Sequence, residues 1–220
     1  MTLERGAGPG DLAASITVPG QGTVRVVPDV ADLRLGVVST RPTATEARAA
    51  AAATMQAVLD AITAAGLERR DLRTTLVGLD AVRDYSSERG PTVTGYQLTN
   101  AVEATIRAID AVGGVIDAAL AAGATSMDGL SFRPADPTAA LAEARRLAVA
   151  DARARAETLA AEAGVRLGAV VAIVEGGALP PGPPRPVAAF RAKAEMDVAT
   201  PVEAGTSELT IAVTVSFAIA

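Results

Sequence analysis

From Leu209 to Ile219 the chain sets Leu209, Ile211, Val213, Val215, Phe217 and Ile219 against Glu208, Thr210, Thr214 and Ser216, a period of two. Only an extended strand carries every second side chain to one face, so the segment predicts a β-strand with Leu209, Ile211, Val213, Val215 and Phe217 buried. A strand with one apolar face needs partners beside it and a layer over it. The same period places Ala31, Leu33, Leu35 and Val37 inward on a strand after the Pro28-Asp29 turn, with Asp32 and Arg34 outward. Ser15–Val18 and Thr23–Val27 read as extended around Pro19-Gly20-Gln21-Gly22, a bend or bulge in the strand, which predicts an N-terminal β pair.

Helices are announced by their ends. Pro42 stops the second strand, and Thr43 and Glu46 have the spacing of a capping box, in which each side chain satisfies a free backbone N–H. The helix they open carries Ala47, Ala51, Met55, Val58, Leu59 and Ile62 on one stripe and ends at Gly66. Two long strand-like arms, Asp71–Asp84 and Val93–Arg107, flank the turn chemistry of residues 86–91 and predict a hairpin. Asp110 is placed to cap a short helix with Val112, Val115, Ile116, Ala119 and Leu120 inward, closed by Gly123. A short strand with Leu130 and Phe132 inward follows. Asp136-Pro137 then opens a helix reaching about Ala163, with a spine of Leu141, Ala144, Ala148, Ala152, Leu159 and Ala163 and a stop at Gly164. Val165–Glu175 reads as an apolar strand.

The expected order is β-β-α-β-β-α-β-α-β-β, an α+β fold with an antiparallel or mixed β-sheet packed against helices. Residues 1–14 read as a flexible N-terminus and 15–220 as a single domain, interrupted by a long Pro-rich connection at 176–205. Pro180–Pro186 within it has polyproline spacing, and a stiff linker is its simpler meaning. Val187, Phe190, Met196 and Val198 give the connection apolar side chains, so it is expected to join a subunit contact or cover a strand edge.

Composition limits the chemistry. The 220 residues include no histidine and no cysteine, which removes imidazole acid–base catalysis, thiolate nucleophiles and His/Cys zinc sites. Lys193 stands alone in the Pro-rich connection, with no serine in a recognisable frame. Roughly a quarter of the chain is alanine, so the core rests on Val, Leu, Ile and Ala. A net charge of −5 and few aromatic residues oppose nucleic-acid binding. The first residues lack the basic and apolar regions of an export signal, and no apolar run is long enough to span a bilayer, which predicts a cytoplasmic location for the chain as given.

Each candidate site has a plainer reading. Pro19–Gly22 lacks both the glycine fingerprint and the following helix of a phosphate loop. Asp29 and Asp32 suit a turn and an outward strand position better than a metal pair. Arg69-Arg70 and Arg145-Arg146 could attract an anion, and solvated or dipole-complementing charges are the simpler reading. Tyr85 and Tyr96 flank the hairpin turn and are expected to pack together across it.

Taken in order, Ile16-Thr-Val-Pro-Gly-Gln-Gly22, Pro28-Asp29-Val-Ala31, Thr43-Ala-Thr-Glu46-Ala47, Gly66-Leu67 and Asp71-Leu72-Arg73-Thr74 resemble the SIMPL-domain family. Gly95-Tyr96, Ala122-Gly123-Ala124, Asp151-Ala-Arg-Ala-Arg-Ala156 and Pro201-Val-Glu-Ala-Gly205 continue the match, which runs from Ile16 to Ala220. This bacterial family is of largely unknown function and also carries the labels oxidative stress defence and periplasmic immunogenic protein. The resemblance implies an α+β fold, frequent self-association and no established catalytic residues. The expected function is therefore a non-enzymatic, self-associating interaction module with no catalytic, cofactor-binding or metal-binding residues, no cofactor, and a second copy of itself as partner. A small-ligand or anion-binding domain is the alternative, and carboxylate-only enzyme chemistry a third reading.

Overall fold

The computed structural model describes residues 14–86, 90–176 and 200–220. The expectations for the N-terminal residues up to Ala13, for Lys193, for Pro180–Pro186 and for Val187, Phe190, Met196 and Val198 lie outside the described residues. The elements run β1 (Ser15–Val26), β2 (Val30–Arg41), α1 (Ala44–Ala64), β3 (Leu72–Asp84), β4 (Thr92–Ile106), α2 (Val112–Ala121), β5 (Ser126–Arg133), α3 (Thr138–Glu162), β6 (Leu167–Glu175) and β7 (Ser207–Ile219). That order is the expected one. Every described strand pairing is antiparallel, and the fold is α+β.

The contacts gather into two compact units. One unit holds a three-stranded sheet in the order β1-β7-β6, with α3 packed on it. Strand β7 is central, and Ile211, Val213, Val215 and Phe217 face the helix and are buried, as the period of two requires. Leu209 is only half-buried. The buried stripe of α3 is Ala144, Ala148, Ala152, Ala156 and Ala160, a strict four-residue spacing. This corrects the expected spine, because Leu159 is exposed and Ala163 lies beyond the helix. Side chains limited to a methyl group bring the helix backbone down onto β1. A Cβ at Gly20 would run into the Ala148 carbonyl oxygen, and one at Gly22 into that of Ala144. The glycines of the Pro19–Gly22 segment therefore form neither a bend nor a bulge: β1 runs straight through them in unbroken register with β7.

The other unit is a four-stranded sheet ordered β3-β4-β2-β5, with α1 and α2 on one face. The expected N-terminal β pair is corrected here: β1 pairs with β7, and β2 pairs with β4 and β5. Strand β2 carries buried residues from Val30 to Val37 because it has a strand on each side and a helix above. Ala31, Leu33, Leu35 and Val37 meet Ala47, Ala51, Met55, Val58 and Ile62 of α1 in the core. Thr43 and Glu46 form the predicted capping box. Asp110 does not cap α2: it lies in a short 3-10 turn, Ile109–Ala111, and α2 starts without a side-chain cap. Leu120, expected inward, is exposed. Thr200 ties the returning chain to α2, its N–H and hydroxyl donating to the Asp117 carboxylate at 3.1 and 2.6 Å.

All three helices stop as predicted, at Gly66, Gly123 and Gly164, with φ of +104°, +104° and +69°. The residue after each glycine donates to the carbonyl five residues earlier, closing the last turn. Helix α3 starts at Thr138 with Pro137, not Asp136, as its N-cap and without a side-chain cap bond; Asp136, one residue earlier, accepts from the Thr138 N–H at 2.9 Å.

Candidate functional site

The free side of β1 is closed along its middle. Main-chain groups of alternate residues in a strand point the same way, so Pro19 and Gln21 share the side turned away from β7. Pro19 has no N–H, and the Gln21 N–H donates to Asp151 Oδ2 of α3 at 2.8 Å. Asp151 Oδ1 accepts from Arg155 Nε at 3.1 Å. The Gln21 amide first, and the Arg155 guanidinium second, hold the Asp151 carboxyl below the usual aspartate range against a smaller effect of burial. The Asp151–Arg155 pair follows from sequence spacing, but the partner on β1 is 130 residues away and has no sequence signal.

On the helix-free face of the four-stranded sheet, Glu103 of β4 lies directly opposite Arg34 of β2 and Arg73 of β3. It accepts from Arg73 Nη2 at 2.7 Å and from Arg34 Nη2 at 3.4 Å. Beside this row, Asp32 accepts from Arg133 Nε at 2.6 Å and from the Thr105 hydroxyl at 2.8 Å. Partial burial pushes the Asp32 carboxyl up, and the bonds from Arg133 and Thr105 outweigh it, so the group sits below the usual range. Asp29 is occupied as well, accepting from the Ala135 N–H at 2.6 Å. The two aspartates thus serve a turn and a cross-strand ion pair. A shallow hollow of ≈ 170 Å³ lies over Asp32, Arg34 and Glu103.

The arginine pairs singled out in the sequence are matched by carboxylates. Arg69 lies 4.0 Å from Asp60, Arg70 2.8 Å from Glu68, Arg145 3.0 Å from Glu175 and Arg146 2.6 Å from Glu143. All four guanidinium groups are solvent-exposed, each with one carboxylate within 4.0 Å. Tyr85 and Tyr96 do not meet: Tyr96 stands opposite Ala81 and packs against the core, while Tyr85 lies past the end of β3 and is exposed. The hairpin register separates them by four residues along β3. Among the described residues, no group of three or more acidic side chains is gathered as a metal site, and no helix is long and apolar enough to cross a membrane.

What sequence reading missed is apolar surface at two sheet edges. Helix α1 lies over β2 and β4, and Val77 and Leu79 of β3, on the helix side, stay exposed. Leu76, on the opposite face of β3, is also exposed. In the other unit, edge strand β6 exposes Val170, Val171, Ile173 and Val174. A strand apolar on both faces normally marks a buried position, and the missing alternation in Leu167–Glu175 and Leu76–Leu79 was the available signal.

Comparison with known proteins is consistent with these elements. The SIMPL family model, described as a protein of unknown function (DUF541), matches residues 16–217. The 26 kDa periplasmic immunogenic protein of Brucella melitensis is 36% identical over 214 residues, covering 94% of this chain and 85% of that protein. The uncharacterized protein YggE of Escherichia coli is 29% identical over 164 residues, covering 72% of this chain and 64% of that one. A match that takes in β1 at one end and Phe217 of β7 at the other spans both units, and on it the chain belongs to the SIMPL family.

Proposed function

We propose that the protein is a non-catalytic module that works by associating with copies of itself. The observation carrying this reading is the exposed apolar surface of β3 and β6, each at a sheet edge where unpaired main-chain groups invite another strand. Soluble chains ordinarily protect such edges with charges, proline or a covering element, as β1 is protected by Pro19 and Asp151. The absence of histidine and cysteine from the sequence, and the pairing of the singled-out arginines with carboxylates, favour binding over chemistry.

The setting we favour is the cell envelope, since the relative from Brucella melitensis is named a periplasmic protein. A chain without cysteine is indifferent to the redox state of its compartment. The alternative of a small anion as ligand is weaker, because the hollows beside Asp32 and beside Leu67 are lined by carboxylates, Asp32 and Glu103 in one and Glu68 and Asp71 in the other, that repel an anion.

The test is mass by light scattering across a hundredfold range of protein concentration, beside a thermal-shift screen of anions and small metabolites. The reading expects a mass above that of one 22.0 kDa chain and no stabilising ligand. A monomer at every concentration, or a saturable ligand that raises the melting temperature, overturns it.

A further inference from the structure

We infer that β3 pairs antiparallel with β3 of a second copy about a two-fold axis through Leu79, joining two four-stranded sheets into one of eight. This rests on the self-association reading and adds to it the surface, the partner and the register.

The choice of edge follows from the four edge strands that the two sheets have among the described residues. Strand β1 is closed by Pro19 and by the Asp151 carboxylate on the Gln21 amide. Strand β5 is short, eight residues, and carries Asp128 and Gly129 where its register with β2 shifts. Strand β6 slips register against β7 between Leu167 and Val170 and again between Val170 and Ala172. Strand β3 is different. After a shift at Thr75 it runs regularly from Leu76 to Val82 opposite Ala101 to Gly95. Within that stretch there is no proline and the only charge is Asp80. Among the described residues, no side chain hydrogen-bonds to the main chain of Leu76–Ala81. Leu76, Val77 and Leu79 are 51%, 64% and 49% exposed.

The partner is a second copy because the stretch is complementary to itself in one register. Leu76, Gly78, Asp80 and Val82 share one face, and Val77, Leu79 and Ala81 the other. A two-fold axis perpendicular to the sheet must place one residue opposite itself and keeps faces matched. With Leu79 on the axis, Leu79 meets Leu79, Val77 meets Ala81, Leu76 meets Val82 and Gly78 meets Asp80. Every apolar side chain then gains an apolar neighbour, and the one carboxylate stands over glycine. The neighbouring registers fail. Gly78 on the axis sets Leu76 against Asp80 twice, Asp80 on the axis opposes two carboxylates, and Ala81 on the axis sets Asp80 against Val82. With Val77 on the axis, Leu79 falls opposite the irregular Thr75.

The absence of cysteine makes the test clean, since the native chain supplies no thiol that could compete with an introduced one. Paired strands bring residues opposite each other to about 4.5–5.5 Å between Cα atoms, within disulfide reach. L79C is therefore expected to form a covalent dimer on mild oxidation, and V77C is not, whereas V77C combined with A81C is. L79R is expected to keep the circular dichroism of the native protein, because the side chain is half exposed, and to raise the dissociation constant of the pairing about a hundredfold by placing like charges on the axis. If the native protein associates but L79C stays uncrosslinked, V77C alone crosslinks, or L79R leaves the mass unchanged, this register is wrong and association uses another surface. If the native protein is monomeric throughout and L79C does not crosslink, the self-association reading falls with it.

Discussion

The Gln21 N–H and the Asp151 carboxylate, 2.8 Å apart, join the free side of β1 to α3. Two segments that carry the family resemblance, Ile16–Gly22 and Asp151–Ala156, are thereby brought together, and each explains the other. The alanines of α3 let the helix descend, the glycines of β1 receive it, and the aspartate satisfies a strand amide that has no strand beside it.

Replacing Asp151 with Ala is expected to lower stability by about 1 kcal/mol at neutral pH, since the bond is charge-assisted but reached by solvent. Because its neighbours hold the folded carboxyl below the usual aspartate range, this contribution is present above that range and fades as pH falls through the folded value. Urea unfolding of wild type and D151A at neutral pH and again at strongly acidic pH checks the claim. A difference that grows on acidification would contradict it.

Gly20→Ala and Gly22→Ala are expected to cost about 3 kcal/mol or more each, far beyond an ordinary strand glycine replacement, because the added methyl meets the helix backbone rather than a movable side chain. Gly129→Ala on β5 is the control, since a Cβ there meets nothing within 4 Å. Thermal melts of the three variants should separate the first two sharply from the third.

The elements that sequence disclosed are those with a local cause. Thr43 and Glu46 bond each other, the three helix-ending glycines need only their own φ, and the alternation of Ile211–Phe217 states its own face. Pairing had no such cause. Nothing near Ser15 shows that β1 belongs with β7, about 200 residues on, rather than with adjacent β2, because the deciding contact is the fit of Gly20 and Gly22 to α3. The α3 spine is obscured in sequence for a related reason: size favours Leu159, whereas the close approach to β1 selects the smaller Ala156 and Ala160. At the candidate surface, sequence shows only that Leu76, Val77 and Leu79 belong to a long hairpin arm; the exposure of Val77 and Leu79 depends on where α1 stops covering the sheet, and Leu76 lies on the face without helices.

Val213→Asp is expected to abolish folding. Val213 sits on central strand β7 with a strand on each side, α3 above and almost no exposure, so the carboxylate would have neither water nor a partner. Circular dichroism and solubility of V213D, set beside V213A, provide the measurement. A soluble variant that melts cooperatively near the wild-type temperature would refute the placement of the core.

Asn100 of β4 lies between Val37 and Val77, and its side-chain oxygen is buried without a hydrogen-bond partner. Leaving such an acceptor unpaired costs about 1–3 kcal/mol, which an apolar side chain of similar reach does not incur. Asn100→Val is therefore expected to raise stability by about 1 kcal/mol, read as a higher urea midpoint with an unchanged slope. A lower midpoint would mean that the amide makes a compensating bond.

The last prediction concerns the acid limb of stability. Asp32 accepts from Arg133 and Thr105 in the folded protein and from water when unfolded, and those bonds outweigh partial burial to hold its folded pKa below the ordinary value. A depressed carboxyl pKa adds stability that is complete above the unfolded value and disappears as pH falls through the folded one. The sign is thus loss on acidification. Asp32→Asn should cost about 1–2 kcal/mol at pH 7, because the side chain is mostly covered and Arg133 loses its partner. The gap between D32N and wild type should narrow once pH drops below the usual aspartate range. Arg133→Gln should reproduce most of the loss, and the double variant should cost less than the sum of the two, because one interaction is removed twice. Unfolding free energies of the four proteins at neutral and acid pH measure the coupling. Strict additivity at pH 7 would show that the 2.6 Å ion pair contributes nothing.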